Sequence, residues 1–142
     1  MINSYLVFLL SGRLFGVKLL GAIEILPWRR SRPVPLSYSF VEGLIDYRGV
    51  IYPIFNLGRQ LGMGGPVAFP AGETTRSIIL LEENKAPFGI IVDSVVKMAK
   101  LEAPSAVPEK IQGMEMKYIQ GVVYEDDQEI LILDFERLLH AG

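Results

Sequence analysis

The chain has 142 residues, of which 50% are hydrophobic and 21% charged, with a formal net charge of −2. This length and composition predict one domain, or two small lobes sharing a core. The small negative net charge excludes a broad basic surface for binding nucleic acid, and the lack of cysteine excludes disulfides and thiolate metal sites. The first apolar run, at 5–10, is too short to span a membrane and follows no basic residue, so we expect a soluble, cytoplasmic protein.

The start of the chain predicts a β-hairpin followed by an extended loop. The apolar run at 5–10 leads through a turn at 11–13 into a second β segment at 14–20. Residues 27–40 carry three prolines, which prevent long strands and helices, so we expect a loop there. Its stretch WRRSRP is the one basic cluster of the sequence. We favour a solvated loop over a base-stacking or phosphate-binding patch, because no other basic residues extend the cluster.

A second hairpin is predicted at 43–57, with its turn at Arg48-Gly49. Pro53 indicates an edge position for the second segment, because proline cannot donate to a strand ladder. Asn56 directly precedes LGRQL and predicts the N-cap of a short helix, since its side-chain oxygen can accept from free backbone N–H groups.

The Gly- and Pro-rich stretch from Gly62 to Thr75 predicts a boundary between two lobes, approximately 1–65 and 66–142, which an exchanged terminal segment would intertwine. Residues 78–96 repeat the hairpin pattern, and Asp134 precedes FERLLH as the predicted N-cap of a terminal helix. Many short strands with few helices predict an all-β fold of small barrels or a pair of packed sheets.

Two ungapped alignments of the chain with itself indicate an internal duplication. GLIDYRGVIYPIFNLGRQL, starting at Gly43, aligns with GVVYEDDQEILILDFERLL, starting at Gly121, at a shift of 78 positions. YLVFLLSGRLFGV aligns with IILLEENKAPFGI at a shift of 73, which places Gly16 over Gly89. Chance similarity between apolar β segments is the alternative, and the shared order of the two blocks favours duplication.

The sequence shows no catalytic or metal-binding constellation. His140, the only histidine, lies at the chain end without the partners of a metal cluster or a triad. GMGG lacks the Lys-Ser/Thr of a phosphate loop, and the acids at Glu125–Asp127 are more typical of a solvated hairpin tip than of a calcium loop. Asp93 follows a buried-looking strand, where a hydrogen-bonding role is favoured over catalysis. We therefore expect a binding module, not an enzyme, with no cofactor or metal.

Four motifs, in order, resemble the CheW-like domains of bacterial chemotaxis. LVFLLSGRLFGVKLLGAIEIL is similar to the opening of those domains, which ends in Glu-Ile, here at Glu24. GLIDYRGVIYPIFNL resembles their Gly-Val-Ile-Asn-Leu-Arg-Gly core, and FGIIVDSVVKM resembles their second-half signature. The closing ILILDFERLL also fits, so the resemblance covers essentially the whole chain.

The resemblance implies a single CheW-like domain over 1–142: all-β with short helices, in two five-stranded SH3-like β-barrels that share a hydrophobic core. It implies a non-catalytic adaptor that couples membrane chemoreceptors to a histidine autokinase. The partners would be the cytoplasmic signalling tip of the receptor and the regulatory domain of the kinase, with no nucleic acid and no direct membrane insertion. The adaptor would be cytoplasmic and recruited to membrane receptor arrays. A divergent scaffold for a pilus-motility or other non-flagellar chemosensory kinase system stays open, as does a small hydrolase or ligand-binding barrel.

The resemblance also carries site residues over to this chain by position. Arg48 and Gly49 match the family's Arg-Gly, and Glu24 matches a Glu in a segment associated with partner binding. Asp46 and Tyr47 stand where Asn and Leu are usual, which leaves partner choice open. The expected partner-binding residues are Arg48, Gly49, Glu24, Tyr47 and Asp46, and the expected structural residues are Gly16, Gly43, Pro53, Asn56, Gly89, Gly121 and Asp134. We expect Arg48 to be an accessible turn residue that serves an interface; a local ion pair is the alternative.

Overall fold

The structure, a computed structural model, describes residues 2–34, 41–63, 76–106 and 114–139. His140 and most of the boundary predicted between Gly62 and Thr75 lie outside these residues. The strands are β1 (Asn3–Leu10), β2 (Arg13–Lys18), β3 (Ala22–Pro27), β4 (Val41–Tyr47), β5 (Val50–Asn56), β6 (Ser77–Glu83), β7 (Ala86–Val92), β8 (Ser94–Leu101), β9 (Ile119–Glu125) and β10 (Gln128–Leu133). The helices are α1 (Leu57–Gln60) and α2 (Phe135–Leu139), with 3₁₀ turns at Leu19–Gly21 and Met116–Tyr118.

The strands form two five-stranded sheets. We call them barrel 1, with strand order β8-β1-β2-β10-β9, and barrel 2, with order β3-β6-β7-β5-β4. Isolated bridges pair Arg32 with Leu44 and Ser105 with Val122. Each bridge connects one edge strand of a sheet with the segment that follows the strand at the other edge. The bridge therefore brings the two edges of the sheet together, so that the sheet closes towards a barrel. The predicted all-β class, with five strands in each barrel and short helices, is confirmed.

The two barrels are related by the internal duplication. Exchanging β1–β5 with β6–β10 converts the strand order of one barrel into that of the other. Both contain one parallel pair, in which Ile132 faces Gly16 in barrel 1 and Ile54 faces Gly89 in barrel 2. Those residues correspond through the shifts of 78 and 73 seen in the sequence, so the repeat is a repeat of structure.

Each half of the chain contributes to both barrels. Barrel 1 takes β1 and β2 from the first half and β8 to β10 from the second, while barrel 2 takes β3 to β5 and then β6 and β7. The strands β5 and β6, which flank the stretch at 62–75, lie in the same barrel. The lobes at 1–65 and 66–142 are therefore not the two barrels, because each half exchanges strands with the other.

Pro53 lies in an interior strand, in contrast to the expected edge position, since β5 has β4 on one side and β7 on the other. The parallel pairing of β5 with β7 starts only at Ile54. Pro53 pairs with Leu44 of β4 and precedes the ladder on its other side. The missing N–H is thus tolerated because β5 is interior only beyond the proline.

Three hydrophobic clusters explain why the central strands are apolar on both faces. Leu6 and Phe8 of β1 enter a core shared by both barrels, whereas Tyr5 and Val7 enter the interior of barrel 1. Strand β6 behaves in the same way in barrel 2. The shared core therefore holds the two barrels together as one unit.

Glycine is required where the parallel strands pack closely. A Cβ placed on Gly89 would lie 2.6 Å from Cδ1 of Ile54, and one on Gly16 would lie 2.9 Å from Cδ1 of Ile132. Both distances are shorter than side-chain contacts in a packed core allow, so a methyl group would displace the isoleucine.

Asn56 and Asp134 occupy equivalent positions before the two helices. Oδ1 of Asn56 accepts a hydrogen bond from the N–H of Arg59 at 3.0 Å, and Oδ1 of Asp134 accepts from the N–H of Arg137 at 3.3 Å. Within α2, Leu138 is buried and Leu139 packs partly buried against the shared core. Each capping contact thus orients a helix turn that seals one end of the core.

Asp134→Ala should lower the free energy of unfolding by about 1 kcal/mol, because it leaves helical N–H groups without an acceptor. The measurement is the midpoint of urea denaturation. Glu136→Ala is the matched control, since it removes an exposed carboxylate from the same helix without removing a capping bond. Equal midpoints for the Asp134 variant and the unaltered protein would contradict a capping role.

Candidate functional site

The turn between β4 and β5 is formed by Arg48 and Gly49, both in the left-handed backbone region, with φ of 52° and 82°. Two-residue hairpin turns with positive φ at both positions match the twist of the flanking strands. The other hairpin tips have the same geometry, with φ of 50° at Ser11, 51° at Asn84 and 51° at Asp126. Positive φ at Arg48 is therefore explained by the turn, which projects the side chain from the end of barrel 2.

The Arg48 side chain is exposed, and no described residue neutralises its charge. Its guanidinium carbon lies 5.2 Å from the centroid of the Tyr47 ring, a cation–π contact. Asp46 instead accepts a hydrogen bond from the N–H of Gly49 at 3.1 Å, and Glu42 lies 3.5 Å from Arg59. Within the described residues, no carboxylate lies within ion-pair distance of Arg48. The local ion pair considered as an alternative is not formed.

Glu24 and Tyr47 connect the two edge strands of barrel 2. The Tyr47 hydroxyl donates to Oε2 of Glu24 at 3.1 Å, and Oε1 of Glu24 accepts from the N–H of Ile25 at 3.1 Å. The duplication places Lys97 and Glu125 at the equivalent positions of barrel 1, where they too form a hydrogen-bonded pair. The same link with different chemistry indicates that this pair serves barrel closure.

The Tyr47 hydroxyl remains a donor at neutral pH. Partial burial raises its pKa above the ordinary value of 10.0, and the hydrogen bond to Glu24 raises the pKa further. A raised pKa in the folded state means that the bond is fully present below pH 10 and is lost only as pH rises through the raised value. The link between the edge strands is therefore insensitive to pH near neutrality.

Exposed aliphatic residues lie beside this turn and beside Glu24 in the chain. Ile23 and Ile25 are 43% and 42% exposed, and Val50 and Ile51 are 43% and 42% exposed. On β3 the isoleucines face outward and Glu24 is half-buried, the reverse of what alternation around a core predicts. Exposed apolar side chains near an arginine that forms no ion pair with the described residues are the composition expected of a protein interface.

The predicted partner-binding residues lie together on one corner of barrel 2, here called the hairpin corner. Its members are Glu24, Asp46, Tyr47, Arg48 and Gly49. Sequence reasoning missed the four exposed aliphatic residues. Val50 and Ile51 could have been found from their position directly after the turn. The outward-facing isoleucines and half-buried Glu24 of β3 can be recognised only once the burial of each side chain is known.

Asp93 has a structural environment. Its carboxylate accepts from the N–H of Ser11 at 2.8 Å and lies 3.8 Å from Nε of Arg76.

In the described part of the chain, no group of three acidic, histidine or cysteine side chains could hold a metal ion. Among the same residues, no helix has the length and apolar character needed to cross a membrane.

Comparison with known proteins gives consistent matches. Residues 4–142 match the CheW-like domain family. The chain is 27% identical over 136 residues to the chemotaxis protein CheW of Treponema pallidum (strain Nichols), covering 94% of this chain and 80% of the relative. It is 30% identical over 107 residues to the chemotaxis protein CheW of Thermotoga maritima, covering 75% and 68%.

The fold is also similar to that of a solved protein. The scaffolding protein TtCheW from Thermoanaerobacter tengcongensis superposes with a TM-score of 0.84 at 24% identity, covering 100% of this chain and 90% of that one. At this level of identity the likeness shows the fold alone. It confirms the expected pair of SH3-like barrels.

Proposed function

This chain belongs to the CheW-like domain family, and we propose that it is a chemotaxis adaptor that couples membrane chemoreceptors to a histidine autokinase. The observation that carries the proposal is the family match over 4–142, which includes both barrels. Several relatives that cover most of the chain are named chemotaxis proteins, which favours chemotaxis over a scaffold for a pilus-motility or other non-flagellar system.

Within this function we assign the hairpin corner to partner binding. Arg48 supports the assignment because it is exposed and has no carboxylate partner among the described residues. The hydrogen bond between Tyr47 and Glu24 stabilises the hairpin corner, because it holds the end of β4 that leads into the turn. The partner would supply a carboxylate, which a planar guanidinium binds through two parallel hydrogen bonds.

The direct test is capture by the immobilised protein of two purified partners from the same organism. These are a chemoreceptor signalling-tip fragment and the regulatory domain of the histidine kinase. We expect both to bind, and we expect receptor-dependent activation of the kinase only when this protein is added. Failure to bind either partner, with a folded protein, would refute the coupling function.

We also propose that the protein works without catalysis. Asp93→Asn and His140→Ala should each leave reconstituted kinase activation unchanged, because Asn keeps an acceptor for Ser11 and neither residue is among those predicted to bind partners. Circular dichroism would verify that both variants are folded. Turnover of nucleotide, phosphoester or peptide by the isolated protein, abolished by either change, would contradict a purely binding role.

A further inference from the structure

Three arginines converge on a groove beside β4 whose lining shares only Asp46 with the hairpin corner. Arg29, Arg30 and Arg32 line this open groove of 280 Å³ together with Leu44, Ile45 and Asp46 of β4. All three arginines are exposed, and Nη2 of Arg29 donates to the backbone oxygen of Asp46 at 2.9 Å. None of them forms an ion pair with a described residue. We call this feature the arginine groove.

The duplicated barrel shows that the fold does not require these arginines. A shift of 73 places Glu102, Ala103 and Ser105 of barrel 1 at the positions of Arg29, Arg30 and Arg32. Both barrels form the same backbone bridge, from Arg32 to Leu44 in barrel 2 and from Ser105 to Val122 in barrel 1. Because barrel 1 forms its bridge with no arginine at these positions, the bridge does not depend on the guanidinium groups, which leaves them available to a ligand.

The charge distribution points to an anionic ligand. The net charge is −2 and the three arginines contribute +3, so the remainder of the chain carries −2 − 3 = −5. Neighbouring guanidinium groups repel one another, and a ligand with several carboxylates relieves this repulsion. Arginine presents its donors in a planar fork that matches the two oxygens of a carboxylate.

We propose that the arginine groove binds an acidic segment of a partner protein, with carboxylate side chains as the groups recognised. A concave groove admits side chains, whereas a flat anionic bilayer would also face the net negative remainder of the molecule. Trp28, the aromatic neighbour, packs partly buried against the interior of barrel 2 and so does not offer a free ring for insertion or base stacking. The inference rests on charge and duplication, and does not depend on the proposed partners.

The test uses a labelled octaglutamate peptide and an octaglutamine peptide, with binding to the full chain followed by fluorescence anisotropy. Octaglutamate should bind and octaglutamine should not, and binding should weaken as salt rises from about 0.05 M to about 0.5 M. Arg30→Glu should weaken octaglutamate binding roughly tenfold, since it removes one attraction and adds one repulsion, each worth about threefold. Arg30→Lys should give a smaller loss, because the charge remains without the planar fork.

Lys100→Glu is the matched control: it makes the same change of charge at an exposed position on β8 of barrel 1. It should leave octaglutamate affinity within about twofold of the unaltered protein. Equal losses for the Arg30 and Lys100 variants would overturn the proposal, because binding would then reflect net charge alone. Melting curves of all variants separate a binding loss from unfolding.

Two other results would overturn the choice of ligand. Arg30-dependent binding to vesicles of phosphatidylcholine and phosphatidylglycerol, without octaglutamate binding, would assign the groove to a membrane surface. Arg30-dependent self-association in sedimentation velocity would assign it to a second copy, whose hairpin tip at Glu125–Asp127 is acidic. Failure of receptor or kinase capture would leave the proposal intact, because neither protein is in the peptide assay.

Discussion

Gly43→Ala is expected to lower the free energy of unfolding by about 3 kcal/mol or more, a large part of the stability of a small domain. A Cβ on Gly43 would lie 2.3 Å from the backbone oxygen of Arg32 and 2.7 Å from Oγ of Ser31. That backbone cannot retreat without breaking the bridge in which Arg32 and Leu44 exchange two hydrogen bonds of 2.8 Å. Losing both bonds costs about 1 kcal/mol each, and overpacking adds about 1–3 kcal/mol.

Urea denaturation of this variant should show a midpoint far below that of the unaltered protein, or no folded baseline. Gly58→Ala is the matched control, because its Cβ would meet only Oδ1 of Asn56, at an ordinary 3.6 Å. In the α1 turn, alanine should preserve or raise stability by up to about 1 kcal/mol. A Gly43 variant as stable as this control would show that the chain does not close barrel 2 by this approach.

Because the two barrels are related by duplication, we expect the equivalent glycine of barrel 1 to be required as well. A Cβ on Gly121 would lie 2.5 Å from Cβ of Pro104 and 2.6 Å from the backbone oxygen of Ser105. Ser105 and Val122 exchange two backbone hydrogen bonds, as Arg32 and Leu44 do. Gly121→Ala should therefore cause a loss of similar size, whereas unequal losses would mean that only one bridge is essential for closure.

Local patterns predicted the hairpins and the positions before both helices, because each depends on residues close together in the chain, and comparison of such patterns along the chain predicted the duplication. The sequence allowed an exchanged terminal segment, but it could not predict which strands the two halves exchange. Self-alignment shows that β2 corresponds to β7, but it does not show whether β2 pairs with β5 or β10, since both present the same pattern. The edge position expected from Pro53 failed for a related reason: pairing with β7 starts at Ile54, and that start is set by tertiary structure.

The candidate site, like the fold, was predictable only where it depends on residues that are close together in the chain. The turn at Arg48-Gly49 followed from local sequence, whereas the hydrogen bond from Tyr47 to Glu24 joins residues far apart in the chain. Alternation predicts that Ile23 points inward, yet it is 43% exposed, because the edge of barrel 2 turns Glu24 towards Tyr47. The arginines of WRRSRP looked like a solvated loop, because the β4 surface that completes the groove lies elsewhere in the sequence.

Arg48→Ala is expected to lower affinity for the kinase regulatory domain or the receptor tip by at least about 30-fold, with little change in stability. Removing one member of an ion pair that becomes buried in an interface costs about 2–5 kcal/mol, and each 1.4 kcal/mol is about tenfold in affinity. An exposed side chain with no ion pair contributes little to folding, so the free energy of unfolding should change by no more than about 0.5 kcal/mol.

Titration calorimetry with each partner, paired with urea denaturation, separates an interface role of Arg48 from a structural one. Arg13→Ala is the control, because it removes an exposed arginine beside a hairpin turn of barrel 1, where the side chain pairs with Glu129 at 3.4 Å. It should leave affinity unchanged, whereas Arg48→Lys should retain part of it, since lysine keeps the charge without the planar fork. If the Arg48→Ala variant were less stable but bound the partners with undiminished affinity, the role of Arg48 would instead be to stabilise its own hairpin through its contact with Tyr47.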